Sequence, residues 1–132
     1  MACQWLPESD IEQLTGIGVG SKQQSGTTNS SSHTCTYADQ NGNFFLSVAD
    51  DAETPDQFLS NVHNLFPTSA QPDVRQNVGV GDASVLVNFH STSYILYVHA
   101  GTKGFVLSNI NSASLGADGL IKIAGDLVNR TK

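Results

Sequence analysis

Charge is scarce in this chain of 132 residues, of which only 14% are Asp, Glu, Lys or Arg. Positive charge is scarcest, since Lys22, Arg75, Lys103, Lys122, Arg130 and Lys132 stand singly along the sequence. Against twelve acids they leave a net charge of −6. A nucleic-acid partner calls for a basic stripe that neutralises phosphates, so no nucleic-acid binding is expected. The same acidity disfavours adsorption to anionic lipid, although it is silent about a covalent lipid anchor. Long apolar runs are also missing. Apolar residues make up 39% of the chain, but no run nears the roughly 18 residues of a membrane helix, so no transmembrane segment is expected. Cysteine occurs only at positions 3 and 35, which excludes a structural zinc site with its four paired ligands. No cofactor is expected.

What is abundant is Ser, Thr, Asn, Gln and Gly, a surface chemistry often met in exported bacterial proteins. Met1-Ala2-Cys3 holds neither a basic stretch nor an apolar core, so either a secretion signal has been removed or the protein is cytosolic. The cysteines favour export, to periplasm, cell envelope or the outside. A disulfide between Cys3 and Cys35 would tie the amino end to the first strand, and closing such a loop is worth about 3 to 4 kcal/mol. Two other uses remain open at this point: a lipid-modified Cys3, and a thiolate at Cys35 paired with His33.

The length fits one domain, residues 1–132, with one core. Ser9-Asp10-Ile11-Glu12 reads as a capping box opening a two-turn helix that Gly16 closes. Residues 18–34 have almost nothing to bury and read as a mobile loop. Residues 35–48 alternate about Asn41-Gly42, a hairpin signal that pairs Tyr37 with Leu46 and Asp39 with Phe44. That register sends Cys35, Tyr37, Phe44, Leu46 and Val48 to the core and Phe45 away from it. Thr54-Pro55-Asp56-Gln57 opens a second helix, with Phe58, Val62, Leu65 and Phe66 at helical spacing and Pro67 at its end.

A connection over residues 67–82 then leads to a second hairpin, residues 85–99, turning at Ser91-Thr92. This register sets Val85, Val87 and Phe89 across from Val98, Leu96 and Tyr94. A further strand follows at residues 105–110. Ala117, Leu120, Ile121, Ala124, Leu127 and Val128 form the stripe of a last helix, with Ser114 as its cap. The fold expected is therefore α+β: an antiparallel sheet of about five strands with three helices mainly on one face, in the order αββαβββα.

A cysteine before a short first helix, a Ser/Gly-rich segment, Cys35-Thr36-Tyr37 opening a hairpin, and Val78-Gly79-Val80-Gly81-Asp82-Ala83-Ser84 leading into a strand are the features of a known group. In them the chain resembles the small, uncharacterised cell-envelope lipoproteins common in actinobacteria. That resemblance implies an exported, disulfide-bonded domain in or near the envelope, and it carries over no catalytic residues.

Individual side chains point to little chemistry. The glycines at 16, 18 and 20 follow a helix instead of opening one, unlike a phosphate loop, and those at 79 and 81 precede a strand. Asp50, Asp51, Glu53 and Asp56 do not have calcium-loop spacing, and acids favour a helix start in any case. In the expected register His90 and His99 are too far apart to share a metal, and no serine sits in a nucleophile elbow. The outer sheet face is different. Leu86, Ile95, Tyr97, Val106 and Ile110 are apolar there, and Arg75 is the only cation of the 67–82 connection. These six are the candidate binding residues, for an unknown protein or envelope component or a second copy of the chain. The function expected is a non-enzymatic binding module of the bacterial cell envelope. A secreted inhibitor or immunity-type protein is the first alternative. A small hydrolase or metal-dependent enzyme is the second, and it requires at least two of His90, His99, Asp82 and Tyr97 to meet in a pocket.

Overall fold

The computed structural model describes residues 2–25, 33–50, 53–65, 68, 72–89, 93–109 and 115–131. A short 3-10 turn, Ala2–Gln4, leads into α1 (Glu8–Thr15). Three strands follow, β1 (Val19–Ser25), β2 (Thr34–Asp39) and β3 (Phe44–Asp50), and then α2 (Pro55–Leu65). Four more, β4 (Asp73–Gln76), β5 (Ala83–Phe89), β6 (Ser93–Ala100) and β7 (Lys103–Ser108), precede α3 (Ala117–Arg130). All seven strands form one sheet in the order β1-β2-β3-β7-β6-β5-β4, and every neighbouring pair is antiparallel. The α+β class, the three helices and the antiparallel sheet are as expected. The strand count is seven instead of about five, and the order becomes αβββαββββα.

Both additional strands are edges. Val19–Ser25 lies in the stretch read as a mobile loop, and Asp73–Gln76 lies in the 67–82 connection. Each is held by its backbone ladder to one neighbour, so neither needs the alternating apolar residues of a central strand. β1 is held from the side as well. Gln24 Oε1 accepts the Cys3 N–H at 3.2 Å, and Lys22 pairs with Glu8 of α1 at 3.3 Å.

Successive residues of a strand point to opposite faces, and here both faces are covered. On the inner face α1 and α3 pack over Tyr37, Leu46, Val48, Leu86, Leu96, Val98, Phe105 and Leu107. On the outer face α2 packs over Val85, Val87 and Tyr97 with Phe58 and Val62. The expectation of helices mainly on one face becomes two helices against one. α3 contributes its expected stripe, and Ile123, outside that stripe, is fully buried too. Leu65 of α2 is 77% exposed instead of joining its stripe, while Phe66 and Pro67 lie outside the described residues.

The disulfide is present. Cys3 and Cys35 are bonded, with their Cα atoms 5.0 Å apart, and both side chains belong to the inner core. Tyr37 lies two residues along from Cys35 and donates to the Leu6 carbonyl at 2.8 Å. Burial, and after it the charge of Glu8, pushes this phenol far above its ordinary range, so it stays a neutral donor.

The first hairpin keeps the expected pairing of Tyr37 with Leu46, then departs from it. A bulge after Tyr37 pairs Ala38 with Phe44, so Phe45 enters the core at 2% exposure and Phe44 stays 45% exposed. An inserted residue in one strand reverses the faces beyond it. The second hairpin is shifted by one throughout. Phe89 pairs with Ser93 and Val85 with Tyr97, leaving three residues between the last paired positions instead of two. A one-residue slip turns one strand over against its partner, so Val85 and Val87 of β5 go to the outer face and Leu86 to the inner while β6 keeps the faces expected for it. Ser91 and Thr92 lie outside the described residues.

Helix ends divide likewise. The Thr54 box forms, with Gln57 N–H donating to Thr54 Oγ1 at 3.2 Å and Thr54 N–H to Gln57 Oε1 at 2.9 Å. The Ser9 box does not. α1 starts earlier, at Glu8 behind Pro7, and Glu12 turns away to accept the Val19 N–H at 3.0 Å. Gly16 closes α1 at φ 75°, a left-handed value that glycine adopts at no cost. Gly116 holds the cap position of α3, and Ser114 lies outside the described residues.

Candidate functional site

Of the six side chains proposed for binding, the five that are described do not form one surface. Leu86 is buried at 1% exposure on the inner face, opposite the face expected for it, because the slipped hairpin register pairs it with Leu96. Tyr97 is on the outer face but is fully buried, its ring stacked on Phe58 of α2 with centroids 4.8 Å apart. Ile95 and Val106 pack half-buried against the same cluster, so α2 covers most of what was expected as an open patch. Arg75 is exposed on β4. Ile110 lies outside the described residues.

Two of the groups named for an enzyme do meet. Tyr97 Oη lies 3.2 Å from His99 Nδ1 and donates to the Glu53 carbonyl. A carbonyl can only accept, so the phenol is the donor in its bond to Glu53. Tyr97 is fully buried, and neither it nor His99 lines the cleft or the hollow described below. At the far end of the inner face His33 Nδ1 meets Asp50 Oδ2 at 3.1 Å, and the His33 N–H donates to Asp50 Oδ1 at 2.7 Å. That pairing joins the ends of β2 and β3. His90 and Asp51 lie outside the described residues. Among those described, no three His, Cys, Asp or Glu side chains converge as a metal site, and no helix is long and apolar enough to cross a membrane.

Concavity is found elsewhere, at the end of the sheet where β5 begins and β6 turns into β7. A cleft of about 570 Å³ opens there between three walls. The first is the glycine turn of residues 79–82, the second the β6–β7 turn of residues 100–103, and the third the last turns of α3 through Gly125, Val128, Asn129 and Thr131. Each wall is fixed by bonds to another. The Asp82 N–H donates to the His99 carbonyl at 2.8 Å, and Asp82 Oδ2 accepts the Gly101 N–H at 2.7 Å. Lys103 Nζ donates to the Thr131 carbonyl at 2.7 Å, placing a cation at the negative end of α3. Thr131 folds its own hydroxyl back on the Leu127 carbonyl at 2.8 Å.

Glycine is required in the first wall. Gly81 has φ 66°, and a Cβ there would sit 2.7 Å from the His99 carbonyl oxygen and from Val98 Cγ2, so this turn presses on β6 as no other residue could. The Gly79-Val80-Gly81 signal in the sequence was thus visible as a turn, but its partnership with the α3 end was not. The cleft is a mixed environment. Asp82 and the α3 carbonyl end are negative, Lys103 is positive, Thr102, Asn129 and Thr131 are neutral and polar, and Val80, Ala100 and Val128 are apolar. Its volume is that of a site for a small molecule or a short segment of chain. A shallower hollow of about 410 Å³ at the start of α2 gathers Glu53, Asp56, Gln57, Ser60 and Asn61, with Asn61 donating to Glu53.

No family model matches this chain, and no curated protein matches it significantly.

Proposed function

We propose that this chain is a binding module of the bacterial cell envelope, exported and without catalysis of its own, whose ligand site is the cleft between the glycine turn, the β6–β7 turn and the end of α3. The observation that carries it is that cleft, preformed and fixed by hydrogen bonds between its own walls. This moves the site away from the outer sheet face, most of whose apolar residues lie under or against α2. The Cys3–Cys35 bond supports an oxidising compartment, and the resemblance to envelope lipoproteins supports the address.

Soaking crystals with a set of small polar fragments tests the site. Fragments should gather between Gly79, Gly101 and Gly125. Their gathering over the half of the outer face that α2 leaves open, with none in the cleft, would refute it. A free-thiol assay on protein taken unreduced from its native host tests the address. It should find no thiol, and two would remove the export half of the proposal.

A further inference from the structure

α3 holds two interior glycines with opposite surroundings. A Cβ on Gly119 would meet Leu115 Cδ1 at 2.5 Å and come within 3.8 Å of Thr15 Cγ2. Glycine there lets α3 pack closely against its neighbours. A Cβ on Gly125 would meet nothing within 4 Å. A glycine inside a helix is less favourable than alanine, and at Gly125 no contact of a Cβ position within the described residues explains its presence. Gly125 faces the cleft.

Resting on the binding-module reading, we infer that the cleft takes a short peptide main chain and that Gly125 is the residue that admits it, by letting the peptide backbone approach α3 more closely than any side chain would allow. The rim offers what a peptide unit needs from both sides. Asp82 and Asn129 accept from its N–H groups, while Lys103 and the Thr102 hydroxyl donate to its carbonyls. A small apolar side chain on the peptide fits the floor of Val80, Ala100 and Val128. None of the described lining residues is aromatic, so among them a sugar ring or a base finds no stacking platform. The chain's charge of −6 opposes a phosphate.

The experiment follows backbone amide shifts of the whole chain while acetyl-Gly-Ala-Gly-amide, N-acetylglucosamine and inorganic phosphate are added separately, to the wild type and to Gly125→Ala and Gly125→Leu. The tripeptide should move the amides of Gly79, Gly81, Gly101 and Asn129. Gly125→Ala should weaken it severalfold and Gly125→Leu by about tenfold or more. Both variants should melt at a higher temperature than the wild type, because each replaces a helix glycine in open space, which separates lost binding from lost folding. Should the sugar or the phosphate move those amides and the tripeptide not, the peptide class is overturned and the binding module stands. Should no probe move them, both fall. Equal tripeptide affinity in all three proteins would overturn the role given to Gly125.

Discussion

The two faces of the sheet are closed by different means. On the inner face two helices, the amino-terminal turn and a disulfide cover a core that runs from Cys35 on β2 to Leu86 on β5. On the outer face α2 is the only helix among the described residues that packs over β5 and β6. Beyond it Thr36 on β2, Ser47 on β3 and Ser108 on β7 lie in one half-buried row, paired across the strands. A row of small polar side chains has little apolar surface to remove from water, so that half gains nothing from a second outer helix. The inner face determines whether the chain folds, and the outer one determines how firmly α2 stays in place. The cleft is placed by the first, because two of its walls, the end of α3 and the turn of residues 79–82, rest on inner-face residues through Val128 and Val80.

The largest effect should follow from opening the disulfide. Cys3→Ser with Cys35→Ser frees a loop of 32 residues in the unfolded chain, and the loss should be about 3 to 4 kcal/mol by loop entropy, measured by urea unfolding. The 3-10 turn and α1 depend on it most, since α1 has only eight residues, too few to stand alone as a helix in water. A loss below about 1 kcal/mol would mean that the packing of Leu6 and Ile11 holds the amino end without the bond.

Matched truncations sharpen the contrast between the faces. Val48→Ala on the inner face and Val62→Ala on α2 remove the same two methyl groups from side chains that are 0% and 4% exposed. Transfer alone makes each worth about 1.5 kcal/mol. Val48 lies between β2 and β7 under a full core, where a cavity cannot collapse, so its cost should reach about 2.5 kcal/mol. α2 is a single helix and can settle into the gap. Hydrogen exchange should show the same order, with the amides of α2 opening before those of β3 and β7. Equal costs and equal protection would mean that the two faces form one cooperative layer.

The face difference also accounts for what the sequence revealed. Central elements were legible because burial on one side prints a period. Phe58 and Val62 mark α2, the 117–128 stripe marks α3, and Cys35 to Val48 marks β2 and β3. The edges were not. β1 reads Val-Gly-Ser-Lys-Gln-Gln-Ser, and its place in the sheet rests on backbone pairing with β2 and on bonds from Gln24 and Lys22 to distant residues. Neither leaves a periodic trace. Register failed where one residue decides it, at the bulge beside Ala38 and at the turn after Phe89, and the second slip is what misassigned Leu86. The cleft was half legible. Its glycine turn stands out at residues 79–82, but its meeting with Gly125 is a tertiary fact. Gly125 has a local signal only as a glycine inside an otherwise well-formed helix.

A smaller effect is expected at the start of α2. Thr54→Ala removes the acceptor for the Gln57 N–H and should cost about 1 kcal/mol. It should act mainly on α2, raising exchange at residues 55–59 and leaving α3 unchanged. Loss of protection in α3 of the same size would again join the two faces into one unit.

The smallest effect, and one whose size depends on pH, belongs to the inner face. Asp10 of α1 and Asp126 of α3 share Arg130, whose Nε lies 2.5 Å from the first carboxylate and 3.3 Å from the second. Hydrogen bonds from Asp126 and then Arg130 hold Asp10 below its ordinary 3.8, whereas burial and then the Asp10 carboxylate hold Asp126 above it. Asp10 therefore adds stability above pH 3.8 and loses it as the pH falls through its lowered value. Asp126 runs the other way. It favours the fold while protonated, and that gain is lost as the pH rises from 3.8 through its raised value. In Asp126→Asn an amide supplies the donor to Asp10 without needing a proton. This variant should be more stable than the wild type near pH 7, by about 0.5 kcal/mol as for other solvent-accessible charge pairs, and indistinguishable from it below pH 3.8. Asp10→Asn should be less stable by a similar amount near pH 7, and that deficit should shrink in acid. Urea unfolding of both variants at pH 3 and pH 7 reads this convergence directly. Parallel curves at the two pH values would show that the carboxylates titrate independently, and that α1 is held to α3 by packing alone.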